Sequence, residues 1–425
     1  MYADKGIRGK TDMGWGAKHG PWHYTKLTEP FLTSELTRLS LPKTEKLSSG
    51  VVDSVSFQAA AVTGPESANQ DRYIVEEWDI PGSGKWTMIG VFDGHAGHET
   101  VDYTVEHLPN LIRNSLSSSI SSAPNTTPKV EAISTLLTQS ITAFDDSIAN
   151  EVFAMFPGGP EEISKLSDDE IQKVVREPEN AKKLLRCMRG TTALVALFDP
   201  SRKNLWVASL GDCLAVLGSK DGKVDILSTD HNASNPEEAE RVKHEHPGEE
   251  ECVLRGRVLG AIAITRAIGD HLFKLPAIYT SRVFLNASEK FQFRTPVHET
   301  LSRNFTPPYL SNISSVKHII LYDPTGTEQG NATGTGQFLI LSSDGLPDCH
   351  DPHMELKKDV IVKKIVDAAR KEITTCAESG KEKNIALTLL RDALGGDDAE
   401  KVSRTITVEM EGKYMDDMTV VVLRL

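Results

Sequence analysis

Apolar residues recur every three or four positions from Val130 to Phe153 (Ile133, Leu137, Ile141, Phe144, Ile148), the spacing of one helical face, and the same period follows Gly97 at Val101, Val105, Leu108 and Ile112. Two helices are predicted there. Elsewhere the pattern changes to short apolar runs, at 54–63, 86–92, 191–199, 204–218, 338–343 and 418–425, which predict strands. The run 204–218 reads as a hairpin turning near Leu210 and Gly211. Charged stretches with helical spacing lie at Pro236 to His244, at 357–378 and at 383–394. Ser167 followed three places on by Glu170 predicts a capping box opening a short helix, which Pro178 would stop. Residues 251–310 carry mixed signals, and GTEQGNATGTG reads as a flexible loop. No internal repeat is visible.

The 425 residues, 39% hydrophobic and 25% charged, can bury a large core. A net charge of −13 argues against nucleic acid or an anionic membrane as the main partner, and no apolar run is long enough to span a bilayer. The five cysteines are odd in number and lack C-x-x-C spacing, which favours a reduced compartment over disulfides or zinc. The first 48 residues are richer in Lys and Arg than in acids. They read as an extension that packs or frays, with one domain over 49–425.

Candidate chemistry lies at four places where an aspartate ends an apolar run: Asp93, Asp212, Asp344 and the pair Asp416–Asp417. Any single Asp-Gly is an ordinary turn. Four such rims converging would crowd carboxylates that repel one another, so the set implies hard divalent cations held by oxygen. The spacing excludes a twelve-residue calcium loop.

The succession NQDR (69–72), VFDGHAG (91–97), RGTTALVAL (189–197), ASLGD (208–212), RVLGAIAITRAIGD (257–270), SSDGLPD (342–348) and MDDMTVVV (415–422) resembles the metal-dependent type 2C serine/threonine protein phosphatases, in order, from about residue 50 onward. Within that family DGHAG, HNASNPEEAERVKHEHPGEE (231–250), TPPYL (306–310) and NIALTLLRDALGG (384–396) most resemble the pyruvate dehydrogenase phosphatase group. The resemblance implies an α+β fold, a four-layer α-β-β-α sandwich of two antiparallel sheets flanked by helices, with Mg²⁺ or Mn²⁺ as cofactor, two ions and a weaker third. It implies that Asp93 bridges two ions, Gly94 offers its carbonyl, and Asp344 and Asp416 complete one shell. Asp71 would hold water on an ion, Asp212 and Asp348 would serve the third ion with Asp344, and His95 would be the general acid. The expected reaction is in-line attack of an activated water on a phosphoserine or phosphothreonine ester. A phosphoprotein, the pyruvate dehydrogenase complex, a regulatory subunit and a mitochondrial location, with the cytoplasm as alternative, follow from the subgroup resemblance. A flap near 230–280 would help select the substrate.

Three positions depart from the family pattern. Gln70 stands where many relatives have glutamate, Glu66 where many carry a phosphate-binding arginine, and Pro347 where a tryptophan is usual. Arg257 and Arg266 are candidate replacements for the arginine. These departures keep open a second reading, a phosphatase fold that binds without turning over. The histidines His98, His107, His231, His244 and His246 read as packing or surface residues, because hard ions prefer oxygen.

Overall fold

A computed structural model describes residues 6–16, 18, 20–59, 68–122, 129–287, 295–321, 336–351, 355–410 and 412–425. Glu66 and nearly all of the GTEQGNATGTG stretch fall outside them. The chain divides into two compact units. The first comprises residues 1–73, 214–227 and 322–425, the second 74–213 and 228–321.

The first unit is built on a six-stranded sheet, in the order Val224–Ile226, Leu214–Ser219, Gln337–Ser342, Met418–Arg424, Gly50–Phe57 and Lys43–Leu47. Every neighbouring pair is antiparallel. Met418, Val420 and Val422 pack with the helices Lys358–Ser379, Ile385–Leu394 and Ala399–Thr407, through Ile365, Leu389, Val402 and Ile406. Val421 and Leu423, on the other face of the same strand, are equally buried. A separate hairpin, Gly6–Thr11 with Trp22–Leu27, is tied to the last helix where Thr25 N–H donates to Thr407 Oγ1.

The second unit carries a seven-stranded sheet, in the order Ile268–Gly269, Gly190–Thr191, Gly84–His95, Ala193–Phe198, Asn204–Leu210 and Ser315–Ile320, with Asp71–Ile80 paired to Gly84–His95 off this path. The helices Glu99–Ser122, Val130–Phe153 and Pro178–Met188 cover it, burying Leu108, Ile112, Leu137, Ile141 and Leu184 against Met88, Val195 and Leu197. Residues 230–310 add a third small core around Val242, Cys252, Val258, Ile264 and Tyr309. The chain thus has the expected α+β class, two antiparallel sheets each with flanking helices.

Several local expectations hold. The helix Val130–Phe153 has the predicted bounds, and Ser167 with Glu170 forms the reciprocal capping box. The run 204–218 is a correction. Asn204–Leu210 pairs with Ala193–Phe198 and Ser315–Ile320, whereas Leu214–Ser219 pairs with Val224–Ile226 and Gln337–Ser342 in the other sheet. Both halves are buried nearly throughout, so neither shows the one-sided alternation that separates a hairpin from two central strands.

Candidate active site

In the second unit the strand Gly84–His95 runs on through Asp93 and Gly94, and the turn follows at Ala96 and Gly97, which take positive φ. Asp93 is clamped by the RGTT segment: its N–H donates to Thr192 Oγ1 (3.0 Å), and its carbonyl accepts from Thr192 N–H (2.9 Å) and Thr191 Oγ1 (3.0 Å). Gly94 lies opposite Thr191 in the ladder, and His95 opposite Gly190. His95 Nε2 is 2.6 Å from Oδ2 of Asp270, a buried residue in the left-handed region. A β-carbon on Gly190 would lie 2.1 Å from that carboxylate oxygen and 2.3 Å from the imidazole, so only glycine fits beneath the pair. The ring is thereby held by an acid from the TRAIGD segment.

Gly211, with φ +104°, precedes Asp212, and a β-carbon there would meet Thr192 Cγ2 at 2.5 Å. Asp212 Oδ2 accepts from Asn232 Nδ2 at 2.8 Å. His231 lies fully buried between Gly211 N–H and Ser315 Oγ, and burial, with Arg266 assisting, pushes its pKa down to about 3. It is a neutral packing residue.

In the first unit the motifs SSDG and MDDM meet. Ser343 N–H donates to Thr419 O (3.1 Å), while Ser343 Oγ accepts from Thr419 N–H (2.9 Å) and donates to Asp71 Oδ2 (2.6 Å). A β-carbon on Gly345 would lie 2.1 Å from Asp417 O, so this glycine is required by close approach, not by an unusual φ. Asp344 precedes the short helix Gly345–His350, and Asp348 lies exposed on it with its N–H on Asp344 O (3.0 Å). Pro347 sits in that helix's first turn, where a missing N–H costs little. Asp416 is exposed, whereas Asp417 is 2% exposed and accepts from Gln70 N–H at 2.8 Å. Lys413 Nζ reaches Asp416 Oδ1 at 2.8 Å and Asp417 Oδ2 at 3.2 Å. Burial pushes the Asp71 carboxyl up to about 7, against the Ser343 hydrogen bond, and the Asp417 and Asp416 charges add to the rise.

The predicted residues therefore fall into two groups. Asp71, Asp344, Asp348 and Asp416 belong to the first unit, Asp93, Gly94, His95 and Asp212 to the second. Among the described residues no three His, Cys, Asp or Glu side chains converge on one ion. The donor chemistry nevertheless fits a hard cation: oxygen ligands, a buried Asp417 Oδ1 with no hydrogen-bond partner among the described residues, and a lysine ammonium already drawn to the acids. Sequence reasoning gives no role to Asp270, the last residue of a quoted motif, and none to Asp417 beyond its place in the Asp416–Asp417 pair; only tertiary contact reveals the partner of each. Of the two arginines weighed as phosphate contacts, Arg266 is committed to Glu238 (2.5 Å) and Ile313 O (2.8 Å), and Arg257 spends Nη1 on Ala261 O (3.1 Å).

The profile of the family described as Protein phosphatase 2C matches residues 56–385, well over half of the chain. The chain belongs to the protein phosphatase 2C family, a class of metal-dependent serine/threonine protein phosphatases. The match takes in every predicted site residue except Asp416. The chain is similar to a protein phosphatase 2C homolog of Schizosaccharomyces pombe, 27% identical over 362 residues, 80% of this chain and 73% of that one. It is also 26% identical to the mitochondrial pyruvate dehydrogenase phosphatase 1 of Saccharomyces cerevisiae over 79% of this chain and 61% of that one. The human protein of that name is 29% identical over 55% of this chain and 47% of its own length. The chain thus spans about half to three quarters of these relatives. No described helix is long and apolar enough to cross a membrane.

Proposed function

We propose that this protein hydrolyses phosphoserine and phosphothreonine esters of a phosphoprotein, with Asp93, Gly94, Asp344 and Asp416 holding the catalytic cations and Asp212 and Asp348 a weaker third. The carrying observation is the strand end Asp93–Gly94–His95, where a carboxylate, a carbonyl and an imidazole follow one another on backbone clamped by Thr191 and Thr192. Divalent Mg²⁺ or Mn²⁺, when bound, would supply a nucleophilic water near neutral pH and neutralise charge on the phosphoryl group. His95 donates the proton to the departing seryl or threonyl oxygen, and Asp270 fixes the ring for that transfer. Asp71, buried beside Ser343, orders water for the attack.

The pyruvate dehydrogenase complex is the proposed substrate and the mitochondrion the proposed location. The subgroup segments and the yeast and human relatives' names support this reading. A regulatory subunit belongs to the same proposal. The test is phosphate release from a phosphothreonine peptide with Mn²⁺, repeated with chelator and with Asp93→Asn. Turnover that needs the metal and vanishes in the variant is expected. Absence of turnover with Mn²⁺ would favour the second reading, a phosphatase fold that binds without turning over.

A further inference from the structure

We propose that Lys413 is a built-in counter-cation of the carboxylate rim, which holds Asp416 and Asp417 in the metal-free protein and is exchanged for the divalent ion on loading. The inference rests on the reading of this rim as part of the metal centre. Lys413 Nζ lies 2.8 Å from Asp416 Oδ1 and 3.2 Å from Asp417 Oδ2, so one ammonium bridges adjacent carboxylates. Asp417 is 2% exposed, and its Oδ2 is engaged by Lys413 and Gln70 N–H. Its Oδ1 is buried with no hydrogen-bond partner among the described residues. A buried carboxylate oxygen left unanswered is costly, and a cation that replaced the ammonium could take it as a ligand.

Lys413 is built to leave. It lies in an irregular stretch between the helix Ala399–Thr407 and the strand Met418–Arg424, and its side chain keeps 39% of its exposure. Asp416, its partner, is 56% exposed on the side chain. An ammonium is a compact point charge without a fixed fork, so it neutralises the pair without locking its geometry. A divalent ion brings twice the charge to the same oxygens. The two cations compete, and the measured metal affinity is the affinity of the bare rim reduced by the strength of the lysine contact.

The test uses the full chain as wild type, Lys413→Met and Lys413→Arg. Mn²⁺ affinity is measured by calorimetry, and thermal unfolding is followed in chelator and in saturating Mn²⁺. Lys413→Met is expected to bind Mn²⁺ about tenfold more tightly, to melt earlier than wild type in chelator, and to melt with wild type in saturating Mn²⁺. Lys413→Arg, whose fork grips carboxylates with two donors, is expected to bind Mn²⁺ more weakly than wild type. If Lys413→Met does not fold in chelator, withdrawing Mn²⁺ from the loaded variant by graded chelator reads the same affinity. Equal or weaker Mn²⁺ binding by Lys413→Met would overturn the exchange, and a raised KM at unchanged affinity would reassign Lys413 to the substrate phosphate. Wild type that binds no Mn²⁺ would overturn both this inference and the metal centre beneath it.

Discussion

Buried acids in the second unit are fully answered, and those at the rim of the first only in part. Asp145 receives Lys274 Nζ (2.7 Å), Asn312 Nδ2 (3.0 Å) and Gly269 N–H (2.7 Å). Glu238 receives Arg266, Arg241 and Thr265. Burial raises the pKa of both carboxyls, but these partners outweigh it and hold each below its ordinary value. Asp71 and Asp417 are just as buried, yet each is raised: desolvation wins, and the neighbouring aspartates make it worse. Deep burial alone is therefore not the signal of a site. Buried charge without enough partners is, because folding would otherwise select against it.

The largest effect should come from Asp93→Asn or Asp344→Asn, one from each unit. Each is expected to lower kcat/KM on a phosphothreonine peptide by about 10³-fold or more while circular dichroism stays that of wild type. Full activity in either variant would remove that carboxylate from the centre. On the answered side, Glu238→Ala leaves Arg241 and Arg266 facing each other and should cost about 3 kcal/mol in urea unfolding. The sign with pH follows from its lowered pKa: the stabilisation is present above the ordinary value of 4.5 and is lost as pH falls through the folded value. Acidification below pH 4.5 should therefore narrow the gap between wild type and variant.

On the unanswered side the sign reverses. Asp71, raised to about 7, contributes stability when protonated that is lost as pH rises through 7. At pH 8 in chelator, Asp71→Asn should stabilise the fold by about 2 kcal/mol while abolishing turnover, whereas Asp145→Asn should destabilise it. Stabilisation in both, or in neither, would erase the contrast. The smallest effect is expected of Asp270→Asn, which keeps a hydrogen-bonding side chain beside His95 but removes the charge. A loss of about tenfold in kcat with little change in KM or melting temperature is anticipated, with the rate advantage restored on substrates whose leaving group needs no proton.

Much of the fold is legible in the sequence. The turn spacing of Ile133, Leu137, Ile141, Phe144 and Ile148 placed a helix to the residue, because one amphipathic face leaves a periodic trace. The motif aspartates were legible as chemistry because acids at the ends of apolar runs need a reason. What failed was pairing. Leu205 to Leu210 and Leu214 to Leu217 look alike in sequence because both are buried through every residue, and nothing in either says which sheet it joins. The roles of Asp417 and Asp270 are not legible in the sequence, because an orphaned buried oxygen and a contact with His95 are tertiary facts. The role of Gly345 was legible in kind but not in cause: it is glycine because Asp417 O lies where a methyl would be.

The order of the six-stranded sheet bears on how the molecule comes into being. Met418–Arg424 pairs with Gln337–Ser342 on one side and Gly50–Phe57 on the other, so a central strand of that sheet is supplied by residues synthesised long after Gly50–Phe57. Until they emerge, Gly50–Phe57 waits with one edge open and Val52, Val55 and Phe57 uncovered. Open apolar edges recruit whatever strand arrives first. A nascent chain of this protein is thus a natural client for chaperones, and a truncation before Met418 should be found in inclusion bodies.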